Sequence, residues 1–280
     1  MNNLLTIVFN SFHSEKSLIK ILKNLKRYKV LIIENSLNKL VKKKLEKKFK
    51  NVKVIIPKKN LGLSAGYNLG IKKSKTKYVF LNNPDIEISN ASINKLLNYT
   101  KKIKKFGIIS PIYDDERIYK NYSETNSEVN KNLYSVQWID NNFLIDKSQI
   151  KNQVFDENFF LYFETIDFCL NLSRKNKKLY ILKNIKFKHY GSKSVDIKFN
   201  NMVIKTRAWH YNWSKFYFYK KNFNYIYALT KIFPNFLRSF KYLFFNLFKF
   251  NFKNLLINFI EIYGIICALL SFPSFYRAKN

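Results

Sequence analysis

Cysteine is almost missing from this sequence. Of 280 residues only Cys169 and Cys267 carry thiols, far apart in apolar surroundings. That excludes a disulfide framework and a cysteine-built metal site, and makes a reducing compartment the default expectation. Acidic residues are also scarce: 18 Asp and Glu stand against 51 Lys and Arg, a formal charge of +33. Such an excess predicts an anionic partner, whether nucleic acid, a membrane face or a phosphorylated substrate. Arg27, Arg117, Arg174, Arg207, Arg238 and Arg277 are too scattered for base readout, so nucleic acid is not expected. The N-terminal "MNNLLTIVFNSF" lacks the basic flank and uninterrupted apolar run of a secretory leader, which places the chain, as an expectation, on the cytoplasmic side. Apolar residues are plentiful, at 47%, enough for one sizeable domain and an appendage.

From residue 4 an apolar run followed by a basic amphipathic stretch repeats: "LLTIVF", "EKSLIKILKNLKR", "KVLIIE", "NKLVKKKLEKKF", "VKVII", then a glycine-bearing turn and "YVFLN". Short buried strands alternating with helix-length segments predict βα units on a parallel sheet covered on both faces. Ligands of such sheets bind beyond the carboxyl ends of the strands. The strand exits are all polar: Asn10, Glu34 with Asn35, Asn60, and Asn82 to Asp85. Next come a helix, "NASINKLLNYTKKI", a strand, "GIISPIY", and "DDERIYKNYSETNSEVNKN", whose polarity predicts a long exposed loop. Near residue 206 the composition turns aromatic and lysine-rich, and Glu261 is the last acid after Asp196. The expected domains are therefore 1–205 and 206–280.

Four segments hold residues suited to chemistry. In "KKNLGLSAGYNLGIKK" Gly62, Gly66 and Gly70 recur every four residues at a helix entry, either to let a ligand approach the backbone or to pack the helix closely. The pattern is neither a phosphate loop nor the dinucleotide fingerprint. In "LNNPD" Pro84 fixes the backbone before Asp85, a carboxylate that can hold a divalent ion or simply close a turn. In "YFETIDFC" Glu164 and Asp167 lie three apart, on one helix face, where their repulsion is costly unless something uses it. His189, ending an apolar-alternating strand, is either structural or a ligand.

In order, "FNS", "IIENS", "KNLGLSAGYNLGI", "LNNPD", "VFDENFFLYFETIDFCL" and "KHYGSKS" resemble the family 2 glycosyltransferases, in their bacterial rhamnosyltransferase-like branch, over about residues 4–200. The resemblance implies an α/β fold of the GT-A type, Rossmann-like, with a mostly parallel sheet between helices. It also implies inverting transfer of a hexosyl unit such as rhamnose from a nucleoside diphosphate sugar, with Mg²⁺ or Mn²⁺, to a cell-surface glycan or lipid-linked acceptor. Position by position, Asn83 and Asp85 match the family's Asp-x-Asp motif, with Asp85 a metal ligand. Glu34 falls at its nucleobase contact, and Asn10, Asn60 and Gly62 at its donor site. Glu164 matches its general base, beside Asp167 on the acceptor side, and His189 matches a metal-binding histidine. The branch commonly carries Glu-Asp at the base, and here the second residue is Thr165.

Two other readings remain. A sugar-phosphate nucleotidyltransferase would need a glycine-rich basic loop after the first strand, and "FNSFHSEKS" has none. A catalytically degenerate, membrane-associated scaffold is favoured only by Thr165. In the C-terminal segment, Arg238, Lys241, Lys249 and Lys253 on one helix over 236–254 would form a basic arc of roughly 120° beside a Phe/Leu/Tyr face, the pattern of an interfacial helix. Residues 255–273 approach the length that spans a bilayer, an alternative against which Asn258, Glu261 and the central Gly264 stand. The segment is expected to dock peripherally on an anionic membrane surface or to cap the catalytic domain.

Overall fold

The computed structural model describes residues 2–103, 105–115, 120–150, 154–190 and 195–278. Residues 191–194 of the "KHYGSKS" segment, and Arg117, lie outside them. The elements run β1 (Asn2–Ser11), α1 (Glu15–Leu22), β2 (Tyr28–Glu34), α2 (Lys39–Lys48), β3 (Val52–Ile55), α3 (Gly62–Lys73), β4 (Tyr78–Asn82), β5 (Ile86–Glu87) and α4 (Asn90–Lys102). They continue with β6 (Ile108–Tyr113), β7 (Thr125–Asn130), β8 (Leu133–Val136), β9 (Leu144–Asp146), α5 (Lys147–Ile150), α6 (Glu164–Arg174) and β10 (Leu179–His189). After a single 3-10 turn, α7 (Asn200–Asn222), α8 (Tyr225–Phe248) and α9 (Phe252–Leu269) complete the chain.

The chain divides into two compact units, Met1–Phe155 with Thr165–Asp196, and Asp156–Glu164 with Ile197–Asn280. The helical unit thus takes in 197–280 together with a short stretch before α6. The reason is aromatic packing that composition does not reveal. Phe159 lies 5.0 Å from Tyr217, and Phe160 4.7 Å from His210.

In the first unit the sheet order is β3-β2-β1-β4-β9-β6-β10-β8-β7, with β5 paired to β10. From β3 to β4 the strands are parallel, as βα repeats require. Beyond β4 the sheet is mixed: β9 runs antiparallel to both β4 and β6, and β10 runs parallel to β6. Alternate side chains go to opposite faces. Leu5, Ile7 and Phe9 pack with α1, α2 and α4 residues such as Leu18, Leu45 and Leu96, whereas Val8, Leu31 and Ile33 pack with Tyr67 of α3 and Phe168 and Leu172 of α6. Helices thus cover both faces, which is why β4 is buried at every position.

Two expectations need correction. Where it is described, at 114–115 and 120–132, the polar stretch is not a long exposed loop: β7 within it pairs with β8, and Asn121, Tyr122 and Ser123 are buried. Asn121 Nδ2 is held there by the Pro111 carbonyl and by Ser110 Oγ. Nor is 236–254 one helix. α8 stops at Phe248, Phe250 takes a left-handed φ of 51°, and Asn251 caps α9 by accepting from Asn254 N at 3.2 Å. Arg238 and Lys241 therefore lie on α8, Lys249 at its end, and Lys253 on α9.

The second unit is a helical, aromatic-rich assembly with a core of Trp209, Trp213, Phe216, Ile232, Ile260 and Ile265. α7 and α9 approach so closely that a Cβ on Gly264 would meet the Trp209 carbonyl oxygen at 2.6 Å.

Candidate functional site

Two polar clusters form beyond the carboxyl ends of the first unit's central strands. The first is built on β1, β2 and the entry to α3. Asn10 donates its amide to the carbonyls of Gly62 (2.8 Å) and Leu63 (3.1 Å), and its oxygen accepts from Asn35 Nδ2. Asn35 Oδ1 in turn accepts from Leu61 N at 2.9 Å, and Asn60 Oδ1 from Gly62 N at 3.0 Å. Gly62 supplies the entry turn with φ 72°. Gly66 and Gly70 are packing residues, because a Cβ on either would lie 2.2 Å from Asn10 Nδ2 or 2.4 Å from Val8 Cγ1. Glu34 is fully buried and accepts from Ser11 Oγ at 2.7 Å and Ser36 N at 3.0 Å. Asn10, Glu34, Asn60 and Gly62 thus stand at these strand exits with backbone groups and the Asn35 and Ser11 side chains as their partners.

The second cluster surrounds "NNPD". Asn82 donates to the Ile86 carbonyl, closing the turn. Asn83 N donates to Asn142 Oδ1 at 2.9 Å, and Tyr67 OH to Asn83 Oδ1 at 2.9 Å. The two-residue β5 then pairs with the end of β10, setting Ile86 opposite His189. This brings His189 Nε2 to 3.5 Å from Asp85 Oδ2, and Tyr190 N donates to the Asp85 carbonyl at 3.0 Å. Tyr113 stacks on the His189 ring, 4.9 Å between centroids at 15°, and accepts from Asn142 Nδ2 at 2.6 Å. A carboxylate and an imidazole held side by side suit a divalent ion. Among the described residues no group of three or more His, Cys, Asp or Glu is close enough to hold a metal alone, so further ligands would come from substrate and water.

The carboxylates of α6 are deeply placed. Glu164 is 2% exposed and Asp167 0%. The two residues before the helix, Tyr162 and Phe163, both take left-handed φ values of 69° and 64°, an uncommon conformation that persists only where the surrounding structure over-determines it. Asp167 accepts from Asn171 Nδ2 at 3.1 Å, one turn on. Thr165, where an acid would stand in the expected pattern, donates to Asp140 Oδ1 at 2.8 Å. Cys169, on the same helix, has its thiol pushed up to about 12 by burial, which rules it out as a nucleophile near neutral pH.

Asp140 and Asn142 join the candidate site through their hydrogen bonds, and reading the sequence alone passes over them. "DNN" looks like a break in an apolar alternation, yet Asn141 and Asn142 both take positive φ, 53° and 50°, and Asn142 links Asn83 to Tyr113. Three polar residues between a Trp-Ile pair and a buried strand were the available signal.

A family model described as glycosyl transferase family 2 matches residues 4–166. Among solved structures the fold is similar to a mannosyltransferase from Pyrobaculum calidifontis in complex with GDP-Man and Mn²⁺. There the TM-score is 0.57 at 8% identity, over 95% of this chain and 87% of that one. It is similar also to GalNAc-T7 with UDP, GalNAc and Mn²⁺, at 0.56 and 14% over 84% and 57%. For S. aureus TarS 1-349 in complex with UDP the values are 0.53 and 14% over 73% and 64%. The chain spans less than two thirds of GalNAc-T7 and of this TarS structure, and 39% of TarS in another. No curated sequence matches it.

Proposed function

The chain belongs to glycosyl transferase family 2, and from that premise we propose that it moves a hexosyl unit, rhamnosyl in the branch it resembles, from a nucleoside diphosphate sugar to a hydroxyl of a cell-surface or lipid-linked glycan. The observation that carries this reading is the pairing of Asp85 with His189 at 3.5 Å beyond the sheet's carboxyl edge, beside the Asn83–Asn142–Tyr113 network. Asp85 and His189 would hold a Mg²⁺ or Mn²⁺ ion, which when bound would supply positive charge for the leaving diphosphate. Two protein donors leave room for phosphate oxygens and water, the usual balance for these ions at substrate phosphates. The Asn10–Asn35–Asn60 cluster fixes the entry of α3 and so shapes the donor side, and Glu34 ties β2 to β1 through Ser11.

Transfer proceeds as one displacement with inversion. The acceptor oxygen forms its bond to the anomeric carbon as the bond to the diphosphate oxygen breaks, and the acceptor's proton passes to Glu164 as general base. Asp167, buried and bonded to Asn171 one turn further along α6, braces the acceptor side rather than exchanging the proton. In this reading Thr165 replaces the family's second acid, with the Asp140 carboxylate at its hydroxyl.

Release of nucleoside diphosphate from a panel of sugar nucleotides, with a glycan acceptor and Mn²⁺, tests the proposal. Glu164→Gln should lower turnover by about 10²-fold or more while donor affinity stays near wild type. A nearly silent Glu164→Gln beside a damaging Asp167→Asn would reverse the two roles, and no turnover of any sugar nucleotide by the wild type would favour the scaffold.

A further inference from the structure

The second helical unit turns its apolar side chains outward. The buried residues of α8 are Ala228, Ile232, Asn235, Ser239 and Asn246, and the three polar ones are satisfied inside the unit. Asn235 Nδ2 donates to Asn212 and its Oδ1 accepts from Lys215, both at 2.8 Å. Ser239 Oγ donates to Glu261 at 2.7 Å, and Asn246 Nδ2 to Asn258 at 2.9 Å. On the other side Ile226, Phe233, Leu237, Phe240, Phe244 and Phe248 are all exposed, Ile226 by 75% and Phe248 by 79%. At about 100° per residue these six fall within roughly 80° of one another. α9 repeats the arrangement, with Phe252, Leu256, Phe259, Tyr263, Ile266 and Leu270 exposed at helical spacing. A helix in water buries its apolar stripe and shows polar residues. These two do the reverse, which suits an apolar medium outside them.

Charge identifies that medium. After Asp196 the sequence holds 13 Lys and Arg against the single acid Glu261, and Glu261 is engaged by Ser239 and by Arg238 at 3.5 Å. On α8, Lys231, Arg238 and Lys241 lie in the sector beside the aromatic stripe, with Lys249 at the helix end over the Phe245 ring, 4.5 Å from its centre. We propose that the outer faces of α8 and α9 dock on an anionic lipid bilayer, with the aromatic stripes inserted shallowly and the basic flank against the headgroups.

α9 is long and apolar enough to cross a membrane, but its place in the unit argues against spanning. Gly264 lies against the Trp209 backbone and Glu261 is tied to α8, so α9 would have to abandon these partners. A second copy of the chain fits the face poorly too, since both copies would bring the same positive charge. The surface is read from the C-terminal helices alone, whatever reaction the α/β unit performs.

The test floats the full chain with phosphatidylcholine vesicles, with and without phosphatidylglycerol. The chain should rise with the anionic vesicles only, and leave them in high salt or carbonate. Phe244→Ser with Phe248→Ser should weaken binding about tenfold or more with an unchanged circular dichroism spectrum. Lys241→Gln with Lys249→Gln should weaken it about thirtyfold at low salt. Retention after carbonate would overturn the proposal in favour of a spanning helix. So would equal binding to neutral vesicles, or no vesicle binding alongside a dimer that the phenylalanine pair dissolves.

Discussion

Gly66 is held to its identity by a single neighbour. An added Cβ would sit 2.2 Å from Asn10 Nδ2, and Asn10 cannot turn aside without giving up Gly62, Leu63 and Asn35. Gly66→Ala is therefore expected to cost about 1–3 kcal/mol, read as a fall of several degrees in thermal midpoint, and to weaken nucleotide binding because Asn10 moves. An unchanged midpoint would mean that α3 shifts freely on β1. At this scale the sequence shows where a polar residue stands but not what it holds. Asn10, Glu34 and Asn60 read as strand exits open to ligand, and the fold ties each to protein groups first. Asp85 and His189 are 104 residues apart in the chain, and only the pairing of β5 with β10 brings them together. β5 is two residues long, too short for any periodicity to reveal.

Among the elements, those with continuous apolar runs were legible. β1, β2, β3 and β4 are buried on one or both faces and separated by amphipathic helices, so local pattern and tertiary role agree. β7 and β9 were not, since one is polar at the sheet's edge and the other is three residues long. The α8–α9 break was hidden because its signal, Asn251 as a cap after a left-handed Phe250, lies in an unbroken aromatic and lysine run. On α7, His210 is fully buried against Trp209 and Phe160. Its Nε2 donates to the Tyr276 carbonyl at 2.8 Å, and Arg277 stands 3.2 Å away. Burial first, and the Arg277 charge after it, drive its pKa from 6.5 down to about 3. The unfolded chain then takes up a proton that the folded one refuses, so stability is complete above pH 6.5 and drains as pH falls toward 3, by up to about 1.4 kcal/mol per unit. Asp156 adds to the loss at lower pH. Burial would raise its carboxyl, but Lys221, Asn158 and Tyr217 hold it below its ordinary 3.8. Thermal midpoints measured from pH 7 to 5 should fall, and His210→Leu should flatten that slope. The same slope in the variant would assign the acid lability elsewhere.

For the whole molecule, charge, sheet and site carry separate parts of the account. The excess of lysine suits anionic ligands in general, and it becomes specific only where geometry gathers it, as on the flank of α8. The sheet places its polar strand ends on one edge, which is where α/β folds bind ligands, and family membership gives that edge a reaction. The division of the chain was the least legible feature, because 156–164 join the C-terminal helices through aromatic contacts that no shift in composition marks. The central claim is a metal-assisted donor site on Asp85 and His189. Calorimetric titration of UDP, GDP and dTDP into the full chain, with and without Mn²⁺, tests it most directly in the wild type and in Asp85→Ala. The account predicts that one diphosphate binds the wild type about tenfold or more tightly with Mn²⁺ than without it, and that Asp85→Ala removes this gain at an unchanged thermal midpoint. Diphosphate binding indifferent to Mn²⁺, or a metal-dependent gain that survives Asp85→Ala, would contradict it.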